Sequence, residues 1–348
     1  MRMTVSQIPP GWGARRVRRG YLRLMLMAAR RANIDADAVV TGTGVTAAEI
    51  EATGSRSLPI EVLYRLAKAL RGAADDGVGL EMGDVSPITV HGSLGVAISA
   101  SDSLGEALTA LSDIGGGSAR LISFHFAVGA EFGDLVLSPD FDLGDLRHFI
   151  LESHVALVSR MLEATVGQPI EGLQFHFPYL APAWADRYVQ RLPGQVVFGA
   201  DALCIRVPRS QLGLKSVAAD PRARDAAMRA LRREADEVEA AAHDDVATFV
   251  RNRLAELAGD YPNLEVVASS LAMSPRTLIR KLRYKGLRYQ QLLDEARAEV
   301  ACWRLAHTDD TIDQIAADLG YAEPSNFSRT FRRWRGETPS AFRRRSRD

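Results

Sequence analysis

Cysteine is scarce, with two in 348 residues, Cys204 and Cys302, far apart and outside any Cys/His cluster. That argues against a disulfide framework and a structural zinc and fits a reducing cytoplasm, with both thiols expected as small buried groups. Net charge is missing too, since 43 basic residues balance 43 acidic ones, a balance that conceals any local excess. No long apolar run occurs. The cluster Arg15-Arg16-Val17-Arg18-Arg19 precedes Tyr21-Leu22-Arg23-Leu24-Met25-Leu26-Met27, but that stretch is short, broken by Arg23 and followed by Arg30-Arg31. It suits an amphipathic helix packed on its domain rather than a signal peptide or a membrane span.

A catalytic constellation is absent as well, and no cofactor is expected. Seven histidines are scattered. His125 and His176 each lie in a strand-like run between phenylalanines, the setting of a hydrogen-bonded core or pocket-edge histidine, with metal or general-base roles the rarer alternatives. His148 and His154 are badly spaced for two ligands on one helix. Gly42-Thr43-Gly44 and Gly115-Gly116-Gly117 lack the strand, lysine and acidic context of nucleotide loops. Tyr179 and Trp184, beside Pro169, Pro178 and Pro182, suit either a pocket lining or plain packing. His125, His176, Tyr179 and Trp184 are the candidate ligand residues.

What the chain does contain is a repeat. Leu278-Ile279-Arg280-Lys281-Leu282 is echoed by Phe327-Ser328-Arg329-Thr330-Phe331. In each copy two large apolar residues stand four apart with an arginine midway, so on a helix the pair packs down while the arginine projects from another face. Each is preceded by a short amphipathic segment and a tight turn, Leu264 to Leu271 then Ala272-Met273-Ser274, and Thr311 to Leu319 then Gly320-Tyr321-Ala322-Glu323. The expectation is two helix–turn–helix units, each laying its second helix in a major groove. Ser274 suits an N-cap with Pro275 first in the helix, and Glu323 and Pro324 take the same places in the second copy. Gly286 and Gly336 are helix stops, and Pro339 is expected to prevent continuation of the second helix. Between the units, Tyr289 to about His307 reads as one helix, its apolar stripe including Leu292, Leu293, Ala296, Val300, Trp303 and Leu305. Such a strut is about 27 Å long, and with the width of the packed units it suits a spacing of about one DNA turn.

Direct readout falls to the early part of each second helix: Arg276, Thr277, Ile279 and Arg280 in the first, and Ser325, Asn326 and Arg329 in the second, with Ser274, Arg332 and Arg333 as further DNA-contact candidates. Arginine can pair bidentately with guanine and asparagine with adenine. Charge supports this independently. From Pro262 to Asp348 there are 16 basic and 11 acidic residues, a local surplus that suits phosphate. Arg343, Arg344 and Arg345 are expected to form a flexible basic end that meets phosphates. A solvated charged face is the alternative for such a run on its own.

These residues carry a resemblance. Met273-Ser274-Pro275-Arg276-Thr277-Leu278, Arg280-Lys281-Leu282, Gly286, Ile312, Ile315-Ala316, Leu319-Gly320-Tyr321, Pro324-Ser325, Phe327-Ser328-Arg329, Phe331-Arg332-Arg333-Trp334 and Gly336-Glu337-Thr338-Pro339-Ser340 make the chain from Pro262 to Arg345 resemble the AraC/XylS-type transcriptional regulators. The resemblance implies a sequence-specific DNA-binding domain of about seven helices, in which a polar residue would be more usual at Ile279. From Arg18 to Lys215 the chain resembles the arabinose-binding-like sensor of the branch that includes ornithine-use and virulence regulators. The matching residues are Gly92-Ser93-Leu94-Gly95-Val96-Ala97, Ser101, Leu104-Gly105-Glu106-Ala107-Leu108, Phe175-His176-Phe177-Pro178, Tyr188, Val196-Val197-Phe198-Gly199-Ala200 and Leu212 to Lys215. That implies an effector-binding, dimerising domain, without implying arabinose.

Helices are expected at Arg16 to Ala32, Pro59 to Arg71, Leu104 to Leu111, Arg147 to Val166, Pro182 to Arg191 and Asp220 to Ala242. Strands are expected at Leu121 to Phe126, Leu135 to Leu137, Leu173 to Phe177, Val196 to Phe198 and Leu203 to Val207. The fold expected is an α+β N-terminal sensor domain followed by an all-α domain with two helix–turn–helix units. Its divisions are 1–218 for sensing and dimerisation, 219–245 for a charged helical linker and 246–348 for DNA binding. The expected function is a cytoplasmic, non-enzymatic regulator that responds to an effector, with activation favoured. Its expected partners are double-stranded promoter or operator DNA, a small-molecule effector, a second copy of the chain and RNA polymerase, with no membrane. The alternatives are an enzyme fused to a DNA-binding domain, which would need an activated cysteine, and an architectural DNA-binding protein.

Overall fold

The structure, a computed structural model, describes residues 8–9, 12, 16–52, 57–74, 76–113, 121–244, 246–256, 259 and 261–347, excepting the side chains of 235–244 and 256. Gly115-Gly116-Gly117 therefore lies outside the described residues. From Arg16 on, the chain divides into two compact units, Arg16–Val238 and Glu239–Asp348.

The first unit runs β1 (Arg16–Arg18), α1 (Arg19–Arg31), α2 (Ala36–Val40), α3 (Ala47–Glu51), β2 (Ser57–Pro59), α4 (Ile60–Ala73), 3-10 turns Val78–Gly83 and Ile88–His91, α5 (Ser93–Ser99) and α6 (Leu104–Asp113). It continues with β3 (Ile122–Val128), β4 (Phe132–Pro139), the 3-10 turn Gly144–Leu146, α7 (Arg147–Val166), β5 (Gln174–Phe177), α8 (Ala185–Arg191), β6 (Gln195–Phe198), β7 (Leu203–Pro208), the 3-10 turn Arg209–Gln211 and α9 (Pro221–Asp244). Two expected helices begin late. Arg16–Arg18 and Ser57–Pro59 pair as a small antiparallel sheet, and Pro59 disfavours helical geometry in the residue before it. Likewise α8 starts at Ala185 rather than Pro182, because Pro182-Ala183-Trp184 forms a turn in which Ala185 N–H donates to the Pro182 carbonyl.

The main sheet has the order β3-β4-β7-β5-β6, antiparallel except for β5 with β6. Alternation sends Leu135, Leu137, Phe175, Phe177, Leu203, Ile205 and Val207 into the core, and α6 packs on β3 and β4. The helix α7 is buried almost all round, as a central helix must be. The 3-10 turn Val78–Gly83 lies against it so closely that a Cβ on Gly79 would sit 2.7 Å from the Phe149 carbonyl oxygen.

The glycines of Gly92-Ser93-Leu94-Gly95 have a local cause. Gly92 has φ +60, a conformation that favours glycine, and a Cβ on Gly95 would collide with the Ile88 carbonyl oxygen. The turn delivers Ser93 Oγ to Glu234 of α9 at 3.2 Å, and Arg18 also binds that carboxylate. The preceding residue, His91, is buried. Its Nδ1 meets Tyr21 OH at 3.1 Å and its Nε2 meets Ser86 Oγ at 3.3 Å.

The second unit contains α10 (Val246–Glu256), α11 (Leu264–Ser270), α12 (Pro275–Tyr284), α13 (Tyr289–His307), α14 (Ile312–Asp318), α15 (Pro324–Arg335) and α16 (Pro339–Arg347). Its apolar side chains form two cores. The first gathers Val250, Leu254, Val267, Ala268, Leu271, Leu278 and Leu282. The second gathers Ile315, Ala316, Leu319, Phe327, Phe331 and Phe342. The strut α13 serves both, giving Leu292 and Leu293 to the first and Val300, Ala301, Cys302 and Leu305 to the second.

Candidate nucleic-acid interface

Each head is built the same way. In the first, α11 leads through a tight turn to α12, and Ser274 caps α12 by accepting the Thr277 N–H at 3.2 Å, with Pro275 in its first turn. In the second, the Thr311–Gln314 capping box starts α14, and α15 opens on Pro324 with Glu323 at the cap position, without a side-chain cap bond. The turns correspond at Ala272, with φ +50, and Gly320, with φ +81. The first head thus places an alanine in left-handed backbone, which costs about 1–2 kcal/mol. Both second helices end as expected: Gly286 has φ +71 just past α12, and Gly336 caps α15 with φ +78.

With Leu278 and Leu282, or Phe327 and Phe331, packed inward, helical spacing turns the intervening residues out. Ser274, Arg276, Arg280, Ser325, Asn326, Arg329, Arg332 and Arg333 are exposed, and Thr277 and Ile279 are half-buried. Ile279 therefore sits at the margin of the face. Arg329 Nη2 donates to Asn326 Oδ1 at 2.5 Å, which puts the expected guanine and adenine readers side by side. Arg333 instead approaches Asp294 of α13 at 3.5 Å. The exposed face of α12 extends through Lys281, Arg283, Tyr284 and Lys285. Attention to the first turns alone misses these, although their charge pattern signals them; Tyr284 is 94% exposed.

The basic end is a correction. Residues 339–347 form α16, not a flexible tail, because Pro339 stops α15 yet suits the first turn of the next helix. Phe342 is buried edge-on against Phe331, 5.5 Å between centroids. Arg343 binds the Asp310 carbonyl, Arg345 pairs with Glu337 at 2.8 Å, and Arg347 pairs with Asp309 at 3.0 Å. Truncation after Phe342 is expected to lower the melting temperature as well as the salt slope of DNA binding. An unchanged melting temperature would restore the flexible-tail reading.

The four ligand candidates of the first unit do not form one site. Register places His125, Val136, Cys204, His176 and Val197 in one row across one face of the sheet. His176 meets Gln174 Oε1 at 3.2 Å, and burial, with Arg206 nearby, lowers its pKa. Burial and Asp134 push the Cys204 thiol up to about 12, the reverse of an activated nucleophile. Tyr179 and Trp184 lie elsewhere, around Glu152 of α7, which is 2% exposed. Trp184 Nε1 donates to Glu152 Oε1 at 2.8 Å and Tyr188 OH donates to the same oxygen at 2.5 Å. The Tyr179 and Tyr188 hydroxyls are 3.1 Å apart, and the rings of Tyr179 and His148 lie 4.3 Å apart. Burial raises the Glu152 pKa, opposed by the two hydrogen bonds. Sequence reading misses Glu152 because an acidic residue in a helix usually faces water.

Comparison with known proteins agrees with this architecture. Residues 34–216 match the arabinose-binding N-terminal domain of AraC transcription regulators, and residues 267–345 match a helix-turn-helix domain. The chain belongs to the AraC family of transcription regulators and is a DNA-binding transcriptional regulator. It is 29% identical over 289 residues to the ornithine utilization regulator of Pseudomonas aeruginosa, covering 80% of each chain. It is 30% identical over 192 residues to the regulator VirS of Mycobacterium tuberculosis, covering 55% of this chain and 56% of that one. Among solved structures, CdpR of Pseudomonas aeruginosa matches at 18% identity with a TM-score of 0.47, covering 93% of this chain and 98% of that one. No described helix is long and apolar enough to cross a membrane.

Proposed function

We propose that this regulator reads two neighbouring major-groove segments of a promoter with α12 and α15, under control of a small effector. The observation that carries this is the pair of exposed basic helices, each seated on its own core and joined by one strut. Residues 246–348 serve DNA, 219–245 link, and 1–218 take the effector and pair with a second copy. Four reading heads in a dimer would gain from effective concentration. Tyr179 and Trp184, beside the buried Glu152, are the preferred effector contacts, and a small apolar or amphipathic metabolite is the preferred class. The regulator acts in the cytoplasm without chemistry of its own, as an activator that engages RNA polymerase. The raised Cys204 pKa weighs against the fused-enzyme alternative.

Arg280→Ala and Arg329→Ala are each expected to cost about 1–3 kcal/mol at the cognate site and to relax selectivity at different base positions. Binding titrations against single-base variants of that site check this. If neither variant alters base preference, direct readout by these arginines is wrong.

A further inference from the structure

Arg297 lies in the middle of α13, and DNA readout has no use for it. Its guanidinium carbon stands 5.2 Å from the ring centroid of Tyr261 and 5.4 Å from that of Tyr321. Its Nε is buried without a hydrogen-bond partner among the described residues. The cation therefore meets the faces of two aromatic rings.

The two rings belong to segments that lead into different heads. Tyr261 precedes α11, and its neighbour Pro262 is fastened to the start of the strut by the Tyr289 hydroxyl, which donates to the Pro262 carbonyl at 2.5 Å. Tyr321 stands in the turn of the second head, 5.6 Å from the Phe327 ring and 6.5 Å from the Trp334 ring. A Cβ on Gly320 of that turn would lie 3.5 Å from Arg297 Nη2, so the guanidinium reaches the turn backbone. Tyr261 packs against both cores.

We propose that Arg297, in contact with both Tyr261 and Tyr321, is the positioning residue that fixes the angle and distance between the two heads and so selects the spacing of the two DNA boxes. The proposal rests on the two-head reading above. A cation in contact with both rings constrains both heads at once, whereas an apolar side chain there would fill the space while permitting several orientations. One added base pair moves the second box by about 3.4 Å and turns it by about 34°, so a rigid joint must reject it.

The test uses the full chain and duplexes that it selects from a random library, remade with one or two base pairs inserted or removed between the boxes. The wild type is expected to lose about tenfold in affinity on a one-base-pair change, part of the gain from joined heads. Arg297→Met should keep the base preferences of both boxes while its spacing discrimination falls to within about threefold. Arg297→Lys should recover part of it. Tyr321→Phe, which keeps the ring face, should retain it, and Tyr321→Leu should lose it.

Unchanged spacing preference in a folded Arg297→Met or Tyr321→Leu variant overturns the proposal while leaving two-head reading intact. Loss of folding in both variants would make this contact a stability element and would also overturn it. Indifference of the wild type to the sequence of one box would instead sink the two-head reading and the proposal with it.

Discussion

Phe331→Ala is expected to cost about 3–5 kcal/mol, the range for emptying a buried phenylalanine site. Phe331 is fully buried in the second core, with the rings of Phe327 and Phe342 at 5.7 and 5.5 Å. Its loss removes the floor beneath α15 and the anchor of α16 together. The first core shares none of these side chains, so the damage should be local. Footprinting should show protection of one box retained and the other lost, and denaturation should show an early transition confined to the second head. Wild-type protection of both boxes would mean that the second core does not hold the recognition helix in place.

Acidification is expected to weaken the sensor unit through His91. Burial, with the charges of His154 and Arg18, lowers its pKa from 6.5 to about 4. The unfolded chain therefore binds the proton first. The contribution of neutral His91 is fully present above pH 6.5 and is lost as pH falls through about 4, a difference of about 3 kcal/mol. Glu152 works in the opposite sense: its pKa is raised, so its contribution is present at low pH and declines as the carboxyl ionises. Urea unfolding of wild type and His91→Gln across this range separates the two. The stability difference between them should shrink by about 3 kcal/mol on acidification. A difference independent of pH would mean that His91 is not held neutral by the fold.

The parts legible in the sequence are those made by near neighbours. Leu278 with Leu282, and Phe327 with Phe331, declare their helices because both partners lie within one turn. The strut is found at Tyr289–His307 as expected, since its apolar stripe, ending before Thr308, is local. The charged α9 and the long α7 are legible for the same reason. What escapes is long-range or very short. The pairing of Arg16–Arg18 with Ser57–Pro59 leaves no periodicity in three residues. Glu152 meets Trp184 and Tyr188 only once α7 and α8 are brought together. That His125 and His176 share one row depends on strand order, which no spacing encodes. Pro339 misleads because one residue both stops a helix and begins one.

The central claim is that two heads of one chain read two stretches of duplex. Selection of random duplexes by the full-length protein, followed by sequencing, tests it most directly. The expected result is two conserved boxes with centres about 10 base pairs apart, the first altered by Arg280→Ala and the second by Arg329→Ala. A single box, or one box altered by both substitutions, would contradict the account.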